Sequence, residues 1–207
     1  MILGINNLQD VVPVLVPELQ YLEEELGRSD WFGVVTSGGV IRQISDSAQP
    51  LSSCLPEYLT GSAILSSITA QEPIPQWCQN EKHALVYIGM LENADDIKTD
   101  LWSLGYELQG KTDKELVYTL LNRYLDIDFS PLDAMKSTCS RLQGNFSIMA
   151  LFAQPEERLI IGSSGYPLDI AVLSSRLIVG SNLRIMRRFF HSVITLEKGD
   201  PVVLSSV

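Results

Sequence analysis

Residues 84–93, with the sequence ALVYIGMLEN, form the stretch that decides the fold class. The run at residues 84–88 is short and apolar, which is typical of a buried strand. A helix is expected at about residues 95–104, and Gly105 comes directly after it, where glycine commonly ends the last turn. The stretch therefore predicts a buried strand that leads into a helix.

Two more helices are predicted further along the chain. Thr112 and Glu115 fit a capping box at the start of one helix, which is expected to end near Tyr124. Ser130 and Pro131 suit the N-cap and the first helical position of the next helix. Its apolar stripe consists of Leu132, Met135, Cys139 and Leu142. Cys139 is therefore interpreted as a core thiol rather than a reactive one.

Strands are predicted on both sides of these helices. The chain before residue 84 predicts a helix at residues 10–26, a hairpin at residues 31–35 and 40–44, and a strand at residues 62–68. The later strands are expected at residues 146–152, 158–161, 170–173, 177–179, 193–196 and 201–204, with a turn at residues 162–165 and a short helix at residues 182–188. Because the strands cluster apart from the helices, we predict an α+β fold in a single domain over residues 1–207.

The composition limits the classes of function. Of the 207 residues, 45% are hydrophobic and 19% are charged, which provides apolar material for a sizeable core. The net charge of −10 and the pI of about 4.6 predict no binding to nucleic acid or to anionic membrane surfaces. The sequence has neither a signal-peptide pattern nor a run long enough to cross a membrane, so we expect a cytoplasmic protein.

The common sites for metals, cofactors and phosphates are not predicted. The three cysteines are widely spaced and there are only two histidines, which argues against a disulfide framework and against a metal site. The GxGxxG, Walker A and HExxH patterns do not occur, and no cofactor is expected. A basic cluster of Arg184, Arg187 and Arg188 could bind a phosphate or a partner carboxylate, or could neutralise local acidity. Residue types and spacing alone leave the reaction open.

A series of segments resembles the glutaminase domain of the class II glutamine amidotransferases, as found in glucosamine-6-phosphate synthase. The segments keep the order and spacing of that family, and the first of them is Tyr87-Ile88-Gly89-Met90-Leu91-Glu92-Asn93. The others are residues 105–106, 112–115, 142–146, 165–168, 180–182 and 196–200. A looser match covers the first helix and the strand near residue 34. The resemblance implies the four-layer αββα sandwich of the N-terminal-nucleophile hydrolases.

The chain departs from the residues that the resemblance assigns to catalysis. The family's nucleophile is an N-terminal cysteine whose own α-amine is the base, but no cysteine precedes Cys54. Ser66 stands where the family's arginine holds the glutamine carboxylate, and Ile88 replaces the asparagine that helps to form the oxyanion hole. Ser67 and Ala70 replace a tryptophan and a histidine. We therefore expect no catalytic residues.

Three positions keep the residue types that the resemblance assigns to glutamine binding. They are Thr69, Gly89 and Asp113, and the family's aspartate lies near the α-amino group of the bound glutamine. We expect them to form a vestigial substrate-binding site. Gly89 and Asp113 also have structural interpretations, since a tight turn can require a glycine and Asp113 can cap the helix that begins near Thr112.

The leading hypothesis is a catalytically inactive, stand-alone domain that binds a partner protein, such as a separate synthase chain. One alternative is a diverged glutaminase or amidohydrolase that uses Ser66, Ser67, Thr69 or Cys54 in the remnant pocket. No histidine is placed to activate these groups, which argues against it. A second alternative is a sensor that holds an amino acid or a sugar phosphate. Whether the chain is an enzyme stays open, and the inactive form is favoured.

Overall fold

The computed structural model describes residues 2–7, 31–37, 40–43, 63–68, 76–77, 82–108, 112–173 and 176–204. The strands are β1 (Ile2–Asn7), β2 (Trp31–Ser37), β3 (Val40–Gln43), β4 (Ala63–Ile68), β5 (Gln76–Trp77), β6 (His83–Leu91), β7 (Gly144–Phe152), β8 (Arg158–Leu173), β9 (Arg176–Gly180) and β10 (Val193–Leu204). The helices are α1 (Ala94–Ser103), α2 (Asp113–Asp126), α3 (Pro131–Arg141) and α4 (Leu183–Phe189). The helix expected at residues 10–26 lies outside the described residues.

The strands follow the order β3-β2-β4-β1-β9-β8-β7-β6-β5, and β10 pairs with β8. All of these pairings are antiparallel. The long strand β8 joins two halves of the sheet, because its residues 158–165 pair with β7 whereas its residues 169–173 pair with β9. A register shift opposite Phe146 and Ser147 marks the place where β8 turns from one half to the other.

The two halves of the sheet lie face to face, and Gly4 in β1 shows how closely. A Cβ atom on Gly4 would lie 2.9 Å from Cδ2 of Leu159 and 3.3 Å from Sδ of Met149. Only a residue without a side chain allows β1 to approach β7 and β8 at this distance. The space between the halves is filled by an inter-sheet core of buried residues: Ala84, Val86, Met149, Leu151, Ala153, Leu159, Ile161, Leu168, Val179 and Leu204.

The opposite face of β6 to β8 carries the helices α1, α2 and α3. Successive strand residues point to opposite faces, so Leu85 and Tyr87 turn towards the helices while Ala84 and Val86 turn towards the other half of the sheet. The helix-side core consists chiefly of Leu85, Tyr87, Ile97, Leu101, Leu116, Val117, Leu120, Leu121, Ala134, Met135, Phe146, Ile148, Ala150 and Phe152. The helices therefore pack on one face of a half-sheet whose other face packs on the second half-sheet. This layering confirms the predicted α+β sandwich.

The ends of the helices follow the predicted capping signals. The Thr112 side chain accepts a hydrogen bond from the backbone N–H of Glu115, at 3.4 Å, and begins α2. Ser130 caps α3 in the same way through the N–H of Asp133, at 3.2 Å, and Pro131 occupies the first position of that helix. After α1, Gly105 adopts a φ of 86°, the left-handed conformation in which helices commonly end.

The strands of the final third are longer than the sequence predicted. The separate strands expected at residues 158–161 and 170–173 are one strand, β8, and the turn expected at residues 162–165 lies inside it. The strands expected at residues 193–196 and 201–204 are likewise joined in β10, which contains two register shifts. The Ser163 hydroxyl lies 2.9 Å from the carbonyl oxygen of Leu196 and 2.8 Å from that of Glu197, so its single proton is shared between two backbone acceptors at the first shift.

We expect Gly4→Val to lower the free energy of unfolding by about 1–3 kcal/mol, because the new side chain must displace Leu159 and Met149 in a filled core. Gly199→Ala is the matched control, since a Cβ atom at Gly199 meets no atom within 4 Å. Urea unfolding followed by circular dichroism measures both variants. Equal stability of Gly4→Val and the wild type would contradict the close approach of the two half-sheets.

Candidate functional site

The site is built on the C-terminal end of β6. The sequence predicted that this strand ends at Ile88, but it continues to Leu91 and pairs along its whole length with β7. Gly89 lies within the strand with a φ of 143°, and a Cβ atom there would be 2.3 Å from the carbonyl oxygen of Asn145. A close approach between two backbones therefore requires the glycine, and the suggested tight turn is wrong.

A second glycine completes this close contact. Gly144 begins β7 opposite Leu91, with a φ of 124°. A Cβ atom on Gly144 would lie 2.3 Å from the carbonyl oxygen of Met90. Side chains are thus excluded at one position on each strand. Gly89 and Met90 are exposed, whereas Leu91 is buried.

Asp113 ties the first turn of α2 to this end of β6. Its Oδ2 accepts a hydrogen bond of 2.8 Å from the backbone N–H of Leu91, and its side chain is half-buried. The N-cap of α2 is Thr112, so the suggestion that Asp113 caps the helix is wrong. The carboxylate lies at the positive end of the helix dipole, which stabilises its negative charge. Gly89 and Asp113, far apart in the sequence, are therefore brought to one place.

Tyr87 lies beside Asp113 in the helix-side core. Its ring stacks on that of Phe146 with the centroids 6.4 Å apart, and only 4% of the residue is exposed. Within the described part of the chain, the buried hydroxyl has no hydrogen-bond partner. Burial raises the pKa of Tyr87 well above its usual value, and the negative charge of Asp113 raises it further. Sequence reasoning did not single out this pair of groups.

Asn93 fixes the connection between β6 and α1. Its amide donates to the carbonyl oxygen of Arg141 at 2.9 Å, and its Oδ1 accepts from the N–H of Gln143 at 2.9 Å. The N–H of Glu92 donates to the carbonyl oxygen of Gln143 at 2.8 Å, and the Arg141 side chain pairs with Asp100. Asn93 belongs to the motif at residues 87–93, but the hydrogen bonds that it makes to residues about fifty positions away could not be predicted from the motif.

Three of the positions at which the resemblance predicts a replaced catalytic residue lie in described strands, Ser66 and Ser67 in β4 and Ile88 in β6. Backbone pairing places Ser66 opposite Leu3, and Ser67 opposite Ile2. Ile88 is half-buried and packs against the inter-sheet core, so a hydrocarbon side chain stands there without a hydrogen-bond donor. Thr69, Ala70, Cys54 and Cys78 lie outside the described residues, and the role predicted for Thr69 stays a prediction.

Cys139 belongs to the core, as the apolar stripe of α3 predicted. The thiol is half-buried against the helix-side core, and it would lie 3.1 Å from a Cβ atom on Gly162. Burial raises the pKa of Cys139 to about 12, so the reactive thiolate is disfavoured near neutral pH. Across the described ranges, no group of three histidine, cysteine or acidic residues is arranged to hold a metal ion, and no helix is long and apolar enough to cross a membrane.

Two stacked antiparallel sheets, with α1, α2 and α3 on the outer face of one of them, are the fold of the N-terminal-nucleophile amidotransferases. Glutamine phosphoribosylpyrophosphate amidotransferase from B. subtilis has a similar structure, with a TM-score of 0.72 at 18% identity over 98% of this chain and 46% of that chain. A family of glutamine amidotransferase domains matches residues 61–188, which is more than half of the chain. The protein therefore belongs to the glutamine amidotransferase domain family.

Curated relatives agree with this assignment. Glutamine--fructose-6-phosphate aminotransferase of Bartonella henselae is 33% identical over 125 residues, which cover 60% of this chain and 21% of the relative. The enzyme of the same name from Pseudomonas putida is 25% identical over 210 residues, covering 96% of this chain and 34% of the relative. The chain thus spans between a fifth and about a third of the length of these relatives.

We expect Asp113→Ala to reduce the free energy of unfolding by about 1–3 kcal/mol, because the N–H of Leu91 loses its acceptor. Asp113→Asn keeps a side-chain oxygen at this place and should recover more than half of that loss, apart from a few tenths of a kcal/mol for the charge at the helix end. Urea unfolding measures both. Equal losses in the two variants would contradict the hydrogen bond as the cause.

Tyr87 should make stability depend on pH in the alkaline range. The raised pKa means that above about pH 10 the unfolded chain loses this proton while the folded chain keeps it, so stability falls as the pH rises. Relative to Tyr87→Phe, the wild type should lose about 1.4 kcal/mol per pH unit above pH 10. At neutral pH, Tyr87→Phe should not destabilise the protein, and a cost above about 1 kcal/mol there would reveal a partner for the hydroxyl.

Proposed function

We propose that this protein is a glutamine amidotransferase-like domain that has lost glutamine hydrolysis and acts by binding a partner protein. The observation that carries the proposal is that the first strand, β1 (Ile2–Asn7), contains no cysteine. In the family the nucleophilic thiol and its own α-amine belong to one residue, and an internal cysteine has no such amine beside it. Cys139 is unsuitable as a substitute, since it lies in α3 with a raised pKa.

The replaced residues around the pocket support the same proposal. Ile88 offers no amide to a developing oxyanion, and losing one such donor costs about 3–4 kcal/mol of transition-state stabilisation. Ser66 offers neither the fixed charge nor the paired donors that an arginine gives to a carboxylate. These losses concern separate steps of the reaction, so one compensating residue could not restore the activity.

A protein partner is proposed because the chain corresponds to a fraction of its relatives. The B. henselae relative is named for an aminotransferase that also isomerises, and this chain covers 21% of it. We therefore propose that the partner is a synthase-like protein, present as a separate chain or segment. The proposal includes a cytoplasmic location and no cofactor, as the sequence predicts.

Retained amino-acid binding is a second candidate, favoured by the position of Asp113. Its half-buried carboxylate lies beside residues 89–91 and the positive end of α2, where it could accept an α-ammonium group. Thermal-shift measurements with millimolar glutamine, glutamate and glucosamine 6-phosphate address this candidate. A shift with the amino acids that is lost in Asp113→Asn supports binding at this site, and no shift with any compound argues against it.

We expect the purified protein to release no glutamate from millimolar glutamine beyond a heat-denatured sample, because the nucleophile and an oxyanion donor are replaced. A coupled glutamate assay measures the rate, and intact-mass spectrometry establishes which residue begins the native chain. Hydrolysis by the wild type that disappears in Asp113→Ala would contradict the loss of activity. Hydrolysis that persists unchanged in that variant points to a contaminating enzyme.

The partner half of the proposal is tested by cross-linking and affinity capture from the native cells. We expect a protein in near-stoichiometric amount, with a synthase-like sequence. A protein that is captured equally well by an unrelated acidic bait is a non-specific contact. If the wild-type chain captures no specific protein under several cross-linking conditions, the partner-binding function is contradicted.

A further inference from the structure

The short helix α4 presents three arginines on one side. Arg184, Arg187 and Arg188 are exposed, whereas Met186 is 1% exposed and α4 packs on β8 and β10. With about 100° of rotation per residue, the three arginines fall within an arc of about 100°, and Met186 points the opposite way. Burial of Met186 therefore fixes the arginines towards solvent. We call Arg184, Arg187 and Arg188 the arginine face.

The charge of this region is opposite to that of the whole chain. Residues 170–196 contain four arginines and no aspartate or glutamate, although the chain has 25 acidic and 15 basic residues in total. Arg188 has an interaction within the chain, so Arg184 and Arg187 supply most of the available positive charge. No acidic residue stands in the first turn of α4, and neutralisation within the helix does not explain the cluster.

Exposed aliphatic side chains lie on the same supporting strands. Val172 is 53% exposed and Ile194 is 61% exposed. Ile194 pairs with Ile170, and Val172 lies two residues beyond Ile170, so both side chains are on one face of the β8–β10 pair. β10 begins four residues after the end of α4, which limits the separation of their ends to about 14 Å. Arginine near exposed apolar side chains is typical of protein interfaces.

We propose that the arginine face, together with Val172 and Ile194, docks an acidic segment of a partner protein. This inference rests on the proposed partner-binding function and specifies its surface. Guanidinium groups bind carboxylates through paired hydrogen bonds, and aliphatic residues in the same segment would cover Val172 and Ile194. A short acidic segment is favoured over a long polyanion, because a net charge of −10 repels nucleic acid and anionic membranes outside this patch.

Fluorescence anisotropy with a labelled glutamate-rich peptide that contains interspersed leucines tests the surface directly. We expect the wild type to bind this peptide, and Arg184→Glu/Arg187→Glu to bind it at least about tenfold more weakly. Lys98→Glu/Lys136→Glu is the control, since it changes the net charge equally on α1 and α3, and its loss should be under about threefold because distant charges are screened. Absence of wild-type binding, or equal losses in both variants, would overturn the proposal.

Competing ligands separate an acidic protein segment from other anions. The same peptide with glutamine in place of glutamate should bind much more weakly. Displacement of the acidic peptide by pyrophosphate at or below the peptide's own concentration would overturn the proposal in favour of a phosphate site. Sedimentation with phosphatidylglycerol vesicles that is lost in Arg184→Glu/Arg187→Glu would overturn it in favour of a membrane surface.

Capture from native cells distinguishes this inference from the proposed function. If the wild type captures a specific partner and Arg184→Glu/Arg187→Glu loses it, while the Lys98→Glu/Lys136→Glu control keeps it, the surface is supported. If both variants capture that partner as well as the wild type does, the surface is wrong and the partner-binding function stands. If the wild type captures no partner, the proposed function itself fails, whatever the peptide measurements give.

Discussion

The burial of β6 and β7 on both faces is the constraint on which the rest of the structure depends. Helices cover one face and the other half of the sheet covers the opposite face. Side chains at successive positions must therefore be apolar, or polar with a hydrogen-bond partner. His83 illustrates the second case, since its ring stacks between Tyr118 and Phe152 while Nε2 lies 2.7 Å from Oδ1 of Asn122. The continuous apolar stretch at residues 84–88 is the direct consequence.

The same strand pair positions the candidate site. At the C-terminal end of β6, the backbones of β6 and β7 come so close that only glycine fits at positions 89 and 144. Asp113 accepts a hydrogen bond from the backbone N–H of Leu91 at the same end of the strand. These contacts fix the backbone at the end of β6, directly after the half-buried Ile88. Structural requirements alone therefore explain why a glycine stands at position 89 and an acceptor at Asp113.

Local signals in the sequence predicted the helices well and the strands less completely. Thr112, Ser130 and Gly105 mark helix ends through bonds within a few residues, and the structure confirms each of them. The predicted turn at residues 162–165 is wrong because glycine and serine favour turns locally, whereas pairing with β7 and β10 keeps this segment extended. β1 was not predicted at all, since Gly4 looks like a strand breaker until its close contact with Leu159 is known.

The sequence by itself determined the α+β class, the capped ends of the helices that the structure describes, and the core character of Cys139. These depend on residue identity and on short-range periodicity, which a single chain displays directly. Only the tertiary structure decided that Asp113 bonds to Leu91, that Tyr87 is buried beside Asp113, and that the arginine face is held outward by Met186. Such relations join residues on different elements, and their distances arise only when the two half-sheets and the helices pack together.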